Sequence, residues 1–206
     1  MSKRIIGLLI FGGLMAIFVY TLLQSSNTGE DPEVYQQRIE FERYDKNKSF
    51  VAAEDSPIPE EERSSFKGLN YYPIKPGFRI VARLEQNPTE EYMQIQTSTG
   101  TTENYKRWGW AHFQLNNQPL QLLILQATDG TNHLFVPFAD ETSARETYGA
   151  GRYLEVPDPE GNKIVLDFNQ AYNPYCAYNE RYTCPLPPKE NIMPVAIEAG
   201  EKSYEK

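Results

Sequence analysis

The stretch YKRWGWAHFQLNNQPLQLLILQA, residues 105–127, decides the fold class of this chain. Two runs rich in aromatic and aliphatic residues, 105–115 and 120–127, flank the turn pair Asn116-Asn117. Runs of this length joined by a short polar turn predict an antiparallel β-hairpin. Residues 120–125 are apolar at positions that would face both sides of a sheet, which is typical of a central strand buried on both faces.

Five further runs have the same character and predict more strands. They are Phe78–Leu84, Tyr92–Thr97, His133–Phe138, Arg152–Val156 and Lys163–Phe168. We expect the last two to pair with each other around the turn segment 157–161.

The predicted strands follow one another without helical crossovers. We expect one face of the run 105–115 to point toward the core, carrying Tyr105, Gly109, Ala111, Phe113 and Leu115. Seven such strands predict a mainly β domain, a single antiparallel β-barrel or curved roll built largely as a meander.

A helix is expected before the sheet. Asp31-Pro32 resembles a helix cap followed by a proline in the first turn. The apolar residues Val34, Tyr35, Ile39 and Phe41, with charges between them, predict an amphipathic helix to about Lys46. At 206 residues the chain is long enough for one domain with a substantial core, so residues 32–206 are predicted to form a single domain.

The N-terminus predicts a membrane anchor. Residues 5–23 carry no charge and, as a helix, would be about 28 Å long, close to the roughly 30 Å of a bilayer core. Lys3 and Arg4 precede this run, whereas only acidic charges, Glu30 and Asp31, follow closely. The positive-inside rule therefore places the N-terminus in the cytoplasm and the domain outside it.

This orientation predicts an anchor at residues 1–23, a polar tether at 24–31, and a domain in the cell envelope, held on the extracytoplasmic side of the inner membrane. A signal peptide cleaved after Ser25 or Ser26 is the alternative, and it would leave the domain secreted or periplasmic.

The charge of the chain argues against nucleic acid as a partner. Removing Lys3 and Arg4 from the 20 basic residues leaves 18 against 28 acidic ones, a formal charge of −10. Binding to phosphate backbones needs clustered Lys and Arg, and here the basic residues are scattered among acids. The composition predicts a solvated acidic surface.

The most unusual stretch is DFNQAYNPYCAYNERYTCPLPP, residues 167–188. Its prolines exclude a long helix or a central strand, and it has few aliphatic residues. We therefore expect an ordered loop that packs by its tyrosine rings.

Several short motifs carry a family resemblance. They include FKGL at 66–69, TYGAGRYL at 147–154, AYNP at 171–174, CPLPP at 184–188 and AGEK at 199–202. Together they resemble the DUF1684 family, bacterial and archaeal proteins of unknown function. The resemblance covers most of the domain, and the combination is highly specific.

Two positions depart from the family pattern. Ala144 stands where the family usually has Gly, and Tyr175 stands where it usually has a second Pro before Cys176. The resemblance implies no reaction, since the family has none to carry over.

Cys176 and Cys184 are the only cysteines. A disulfide between them would stabilise the loop by about 2.5 kcal/mol on the chain-entropy model. The alternatives are two structural thiols or half of a metal site. Because only His112 and His133 remain as strong partners and no cofactor motif is present, we expect neither a metal nor a cofactor.

A cluster of polar residues is the candidate site. Arg152, Asp167, Asn169, Asn173 and Glu201 can form a buried network in which Arg152 pairs with a carboxylate. If they instead line a concave surface with aromatic groups, the mixture suits a sugar-like or other polar ligand. The aromatic members of this candidate site are Tyr148, Tyr153, Tyr172 and Tyr178.

Three functions follow as hypotheses. The first is a non-catalytic module that binds a small polar ligand or an envelope protein. The second is a hydrolase-type enzyme using Asp140, Ser143, Arg152 and Asp167, with His112 or His133 as the base. Ser143 lacks the Gly-x-Ser-x-Gly context of an activated nucleophile. The third is a purely structural envelope protein. The first two require an open cavity lined by polar residues of the candidate site, and a closed interior excludes both and leaves the third. The residues that decide this are Arg152, Asp167, Asn169, Asn173 and Tyr178.

Overall fold

The structure, a computed structural model, describes residues 30–157 and 159–205. The predicted anchor at residues 1–23 and most of the tether lie outside these residues. Within the described part of the chain, no helix has both the length and the hydropathy needed to span a membrane. The chain divides into two compact units, residues 1–35 and 36–206, and the second contains the whole sheet.

Helix α1 spans Pro32–Ala52 and thus extends beyond its predicted end near Lys46. Ile39 and Phe50 are buried, whereas Val34 and Phe41 are 55% and 66% exposed. The predicted amphipathic pattern is therefore only partly present, because two of the apolar residues that suggested it face solvent. A short helix α2, Glu60–Arg63, follows in the acidic connector.

The seven predicted strands are all present, with boundaries shifted by a few residues. They are β1 Arg79–Gln86, β2 Tyr92–Gln96, β3 Thr102–Leu115, β4 Gln118–Ala127, β5 Leu134–Phe138, β6 Arg152–Glu155 and β7 Lys163–Asp167. They form one antiparallel sheet in the order β6-β5-β4-β3-β1-β7, with β2 paired to the first half of β3. The mainly β prediction is confirmed, and the sheet curls as a half-barrel whose two ends are β6 and β7.

The predicted pairing of β6 with β7 is wrong. β6 pairs with β5, and β7 pairs with β1 at the opposite end of the sheet. An isolated two-stranded hairpin is marginally stable, whereas a strand added to the edge of a sheet buries its apolar face. In β7 this burial includes Ile164 and Leu166, which are 2% and 0% exposed.

Strand β4 separates two apolar clusters, one on each face of the sheet. Leu122 and Ile124 belong to the first cluster, Leu123 and Leu125 belong to the second, and all four are 0% exposed. The prediction of a central strand buried on both faces is therefore confirmed.

A β-bulge interrupts β3, where the register with β4 shifts between Arg107 and Gly109. Because a bulge inserts one residue, it reverses the alternation of side chains. Ala111, Phe113 and Leu115 lie in the first cluster as predicted, but Tyr105 packs against the second. A Cβ atom on Gly109 would lie 2.9 Å from the Glu85 carbonyl oxygen, so glycine permits the close approach of β1.

After β7, from Phe168 onward, the chain runs as an ordered loop with three turns of 3-10 helix, which we call the C-terminal loop. These turns are Phe168–Gln170, Tyr175–Ala177 and Lys189–Asn191. Tyrosine rings pack this loop, as the composition predicts: the Tyr178 ring lies 5.2 Å from Phe50 of α1, and the Tyr172 ring lies 5.9 Å from Tyr153 of β6. The loop thereby brings α1 and the sheet edge around a common group of polar residues.

Candidate functional site

Arg152 is fully enclosed at the start of β6, with 1% of the residue exposed. Its Nη2 donates to Asp140 Oδ2 at 2.9 Å and to the Ile197 carbonyl at 2.9 Å. Its Nη1 donates to the carbonyls of Ala199 and Glu201. Arg152 therefore pairs with a carboxylate, as predicted, and holds residues 197–201 against the sheet.

Glu201 is a second buried centre, also 1% exposed. Its carboxylate accepts hydrogen bonds from Tyr178 Oη at 2.6 Å and from the Asn173 backbone N–H at 2.8 Å. Lys46 Nζ of α1 lies 2.5 Å from the other carboxylate oxygen and balances its charge. Tyr178 and Asn173, both 1% exposed, thus position Glu201 from inside the protein.

Asp167 and Asn169 make a separate, structural arrangement. Asp167 caps the turn Phe168–Gln170 by accepting from the Asn169 N–H at 3.2 Å. The Asn169 side chain binds both the N–H and the carbonyl of Lys75, each at 2.9 Å. The predicted single network is therefore divided into neighbouring groups of hydrogen bonds. Arg152 and the Glu201 carboxylate are linked through the Glu201 backbone carbonyl, which accepts from Arg152, whereas Asp167 and Asn169 form a group of their own.

The remaining tyrosines of the candidate site are spread over the loop. Tyr172 Oη donates to Glu155, and Tyr153 Oη donates to the Pro185 carbonyl at 2.5 Å. Tyr148 lies apart from them, with its hydroxyl 3.9 Å from the sulfur of Cys176.

The residues of the hydrolase hypothesis do not form a nucleophilic arrangement. Ser143 Oγ accepts from the Asp140 N–H at 3.1 Å, which is a turn contact. His112 and His133 lie beside Glu85 and Glu155, at 3.2 and 2.8 Å, on other parts of the sheet.

An open cavity of about 240 Å³ lies between α1 and the C-terminal loop. We call it the helix cavity. It is lined by Ile39, Glu42, Arg43, Lys46, Tyr71, Glu155, Asn169, Gln170, Tyr172 and Glu201. Three of the predicted site residues, Asn169, Tyr172 and Glu201, therefore line this cavity, whereas Arg152, Asp167, Asn173 and Tyr178 are buried and do not line it.

Two cationic side chains of α1 lie over aromatic rings in the helix cavity. The Arg43 guanidinium lies 4.4 Å from the centre of the Tyr71 ring and donates to the carbonyls of Tyr72 and Asn169. Lys46 Nζ lies 4.8 Å from the centre of the Tyr172 ring. These contacts hold both cations against the cavity wall.

A second cavity of about 450 Å³ adjoins the first at Tyr172, which lines both. We call it the aromatic cavity. It is lined by Tyr105, Ala127, Asp129, Thr131, His133, Phe135, Tyr153, Tyr172 and Pro185. The two cavities are further linked by Glu155, which accepts from Tyr172 and lies 2.8 Å from His133 Nε2.

Sequence reasoning missed Arg43, Lys46 and Tyr71. A signal for the first two was present, since Ile39, Arg43, Lys46 and Phe50 follow one another at spacings of four, three and four, which places them on one face of a helix. Tyr71 had no such signal, because it lies in the irregular segment before β1.

The two cysteines are adjacent in space. The Cys176 N–H donates to the sulfur of Cys184 at 3.1 Å, and both residues are present as thiols. Among the residues that the structure describes, no three His, Cys, Asp or Glu side chains converge as metal ligands.

Comparisons with known proteins assign a family to this chain and no activity. A family model described as "Protein of unknown function (DUF1684)" matches residues 64–202. The chain is also similar to the solution NMR structure of an uncharacterized protein from Haloarcula marismortui, with 38% identity, a TM-score of 0.65, and coverage of 82% of this chain and 95% of that one. No curated protein matches.

Proposed function

The chain belongs to the DUF1684 family, and from this premise we propose that it is a non-catalytic module that binds a small, neutral, hydroxyl-rich molecule in the helix cavity. The observation that carries the proposal is the convergence of Lys46, Tyr172 and the enclosed carboxylate of Glu201 on one open cavity. Ligand sites combine apolar walls with a few fixed polar groups in this way.

The size of the helix cavity favours a ligand of about monosaccharide size. Its 240 Å³ lie below the range of roughly 300–1,000 Å³ that holds drug-sized molecules. The rings of Tyr71 and Tyr172 offer apolar surface, and Glu42 and Gln170, which are hydrogen-bonded to each other at 2.6 Å, add polar groups to the lining.

The charge of the lining favours a neutral ligand over an anion. Two cations, Arg43 and Lys46, stand against three carboxylates, Glu42, Glu155 and Glu201, which gives a formal charge of −1. Lys46 is already paired with Glu201 at 2.5 Å. An anionic ligand would therefore meet excess negative charge with few uncommitted donors.

The binding proposal can be tested by calorimetry and thermal-shift measurements on the full chain. The probes are neutral monosaccharides, with the corresponding sugar phosphates as the anionic comparison. We expect at least one neutral sugar to raise the Tm and the phosphates to bind more weakly. If no sugar shifts the Tm at concentrations well above plausible dissociation constants, the binding proposal fails and a purely structural role is favoured.

The Tyr172→Phe variant tests whether the ligand binds in the helix cavity. It removes the hydroxyl that holds Glu155 at the cavity edge but keeps the ring, so we expect about tenfold weaker sugar binding, equivalent to about 1.4 kcal/mol. Tyr92→Phe is the matched control, since Tyr92 is 59% exposed on β2 outside both cavities, and its affinity should equal that of the wild type. Equal affinity in the two variants would place the site elsewhere.

The proposal includes a location, which rests on the sequence of the N-terminus. The uncharged run at residues 5–23, preceded by Lys3 and Arg4, supports an anchor in the inner membrane with the domain outside the cytoplasm. In bacterial cells expressing the full chain, the domain should sediment with membranes and become protease-sensitive in spheroplasts. Protection from protease in intact spheroplasts would reverse the orientation, and a mature protein that begins near Ser26 would replace the anchor with a signal peptide.

A further inference from the structure

The cysteine pair lies where the C-terminal loop meets the turn after β2. Cys184 is fixed by two backbone contacts with Ser98, whose N–H donates to the Cys184 carbonyl at 2.9 Å and whose Oγ accepts from the Cys184 N–H at 3.2 Å. Cys176 follows Pro174 in the turn Tyr175–Ala177, and its N–H reaches the Cys184 sulfur at 3.1 Å. Both cysteines are thus held in contact by ordered backbone.

The two sulfurs differ in access. Cys184 is only 6% exposed and packs in the apolar cluster with Phe135 and Tyr153. Cys176 is partly exposed at the margin of the same cluster. An external reagent can therefore reach Cys176 first.

Hydrogen bonds also distinguish the two thiols. The Cys184 thiol shares a hydrogen bond with the Cys176 sulfur, and the hydroxyls of Tyr148 and Ser98 add to it, so the pKa of Cys176 falls to about 7 although burial opposes this. The same bond with Cys176, together with burial, raises the pKa of Cys184 well above its usual value. Near neutral pH a substantial fraction of Cys176 is therefore thiolate, while Cys184 remains a thiol.

Other titratable groups near the pair make smaller contributions to this asymmetry. Burial raises the pKa of Tyr148 to about 12 and raises that of Tyr153 as well, so both phenols stay protonated at neutral pH. Glu103 raises the pKa of Cys184, and Glu180 raises that of Tyr148. Hydrogen bonding to the sulfur is thus what lowers the pKa of Cys176.

We propose that Cys176 and Cys184 form a redox-active dithiol that reacts with low-molecular-weight disulfides, with Cys176 as the attacking sulfur and Cys184 as the resolving sulfur. The observations that carry the proposal are the contact between the cysteines and the exposure of one of them. It is independent of ligand binding in the helix cavity.

The reaction balances with one small disulfide as the oxidant. The Cys176 thiolate attacks one sulfur of the disulfide, whose S–S bond breaks and releases one thiolate, which takes up a proton from water. The Cys184 thiol then loses its proton to water and attacks the Cys176 sulfur. The mixed disulfide breaks and expels the second small thiolate, which takes up a proton from water. The two protein thiols lose two electrons in total, and the small disulfide becomes two thiols.

The test uses the full chain, oxidised glutathione as the probe, and mass spectrometry after alkylation of the remaining thiols. The wild type should form an internal disulfide that reduced glutathione reverses. Cys184→Ser should instead accumulate a mixed disulfide on Cys176, because the resolving thiol is missing. Cys176→Ser should react at least about tenfold more slowly at pH 7. Equal reactivity of the two variants would overturn the assigned roles.

Two further measurements do not depend on cysteine variants. Peptide mapping of wild-type protein alkylated at pH 7 should show Cys176 modified about tenfold faster than Cys184. In Tyr148→Phe, which lacks one donor to the Cys176 sulfur, the pH midpoint for alkylation of Cys176 should rise, whereas Tyr92→Phe should leave it unchanged. Two equally slow thiols would mean inert structural cysteines, and a disulfide that excess glutathione cannot reduce would mean a purely structural bond. Either result overturns the proposal.

Discussion

Ala144 has a backbone conformation that side chains rarely adopt. Its φ is +61°, in the left-handed region, and it closes the tight turn in which the Ala144 N–H donates to the Thr147 carbonyl. Glycine adopts this region without steric cost, whereas a Cβ atom crowds the following carbonyl. A glycine at this position would adopt the turn without strain, whereas this chain carries the strain of an alanine.

We expect Ala144→Gly to stabilise the protein by about 0.5 to 1 kcal/mol, since relief of left-handed strain exceeds the extra entropy of the unfolded glycine. Ala150→Gly is the matched control, because Ala150 has no left-handed φ and should lose about 0.5 to 1 kcal/mol. Urea unfolding of both variants provides the measurement. Changes of the same sign in both would contradict the strain argument.

Arg152 binds residues 197–201 through several hydrogen bonds at once. Arg152→Met keeps much of the apolar stem but leaves Asp140 and three carbonyls without their donor. Losing one partner of a buried ion pair costs roughly 3–5 kcal/mol, and we expect a loss in this range by denaturant unfolding. Arg83→Met, at a pair in which both side chains are 59% exposed, should change stability by less than about 0.5 kcal/mol. Similar losses in the two variants would count against a special role for Arg152.

Among the elements, the junction of β4 and β5 relies on a side chain. The two strands pair at only two positions, Leu125 with Phe135 and Gln126 with Leu134. Beyond them, the Asn191 amide accepts from the Leu123 N–H at 2.7 Å and donates to the carbonyls of Leu123 and Pro137, both at 2.9 Å. Asn191 thus replaces the missing strand contacts where the sheet opens.

We expect Asn191→Ala to destabilise the protein by roughly 2–4 kcal/mol, because it leaves one N–H and two carbonyls buried without partners. Asn191 is 0% exposed, so water cannot easily replace the amide. Asn104→Ala, at an exposed side chain on β3, should stay within about 0.5 kcal/mol of the wild type. Thermal unfolding of both variants distinguishes the cases, and a near-neutral Asn191→Ala would show that β4 and β5 are held by other contacts.

At the scale of the whole molecule, the buried tyrosines link stability to alkaline pH. Burial, together with Glu201, raises the pKa of Tyr71 and Tyr178, and burial with Glu155 raises that of Tyr172. The usual pKa of these phenols is 10.0. The unfolded chain therefore releases these protons near pH 10, while the folded chain retains them.

The stabilisation from these phenols is fully present below pH 10 and is lost as the pH rises above it. We expect the free energy of unfolding to fall by about 1.4 kcal/mol per pH unit for each retained proton. Near-ultraviolet absorbance of tyrosinate and circular dichroism can be followed together. The buried tyrosines should ionise only as the fold is lost, and reversible ionisation of every tyrosine with the fold intact would contradict this expectation.

The local pattern of the sequence was sufficient to predict the seven strands and the central position of β4, because side-chain alternation and turn residues act over short distances. The family was indicated separately, by the resemblance of several short motifs. The Tyr-rich loop was also predictable, since its prolines exclude regular structure. The pairing of β6 and β7 was not, because a strand's partner depends on which sheet edge buries its apolar face, and both edges are distant in sequence.

The candidate site, too, was predictable from the sequence only in part. Residue types alone indicated that Arg152 pairs with a carboxylate and that tyrosines and amides accompany it. Only the tertiary structure decided that Asp140 is the partner, that Arg152 is enclosed, and that Lys46 of α1 meets Glu201 at an open cavity, 155 positions away in the chain. Such contacts are set by the packing of the whole domain, because a charge is buried only where a partner from another element comes within hydrogen-bond distance.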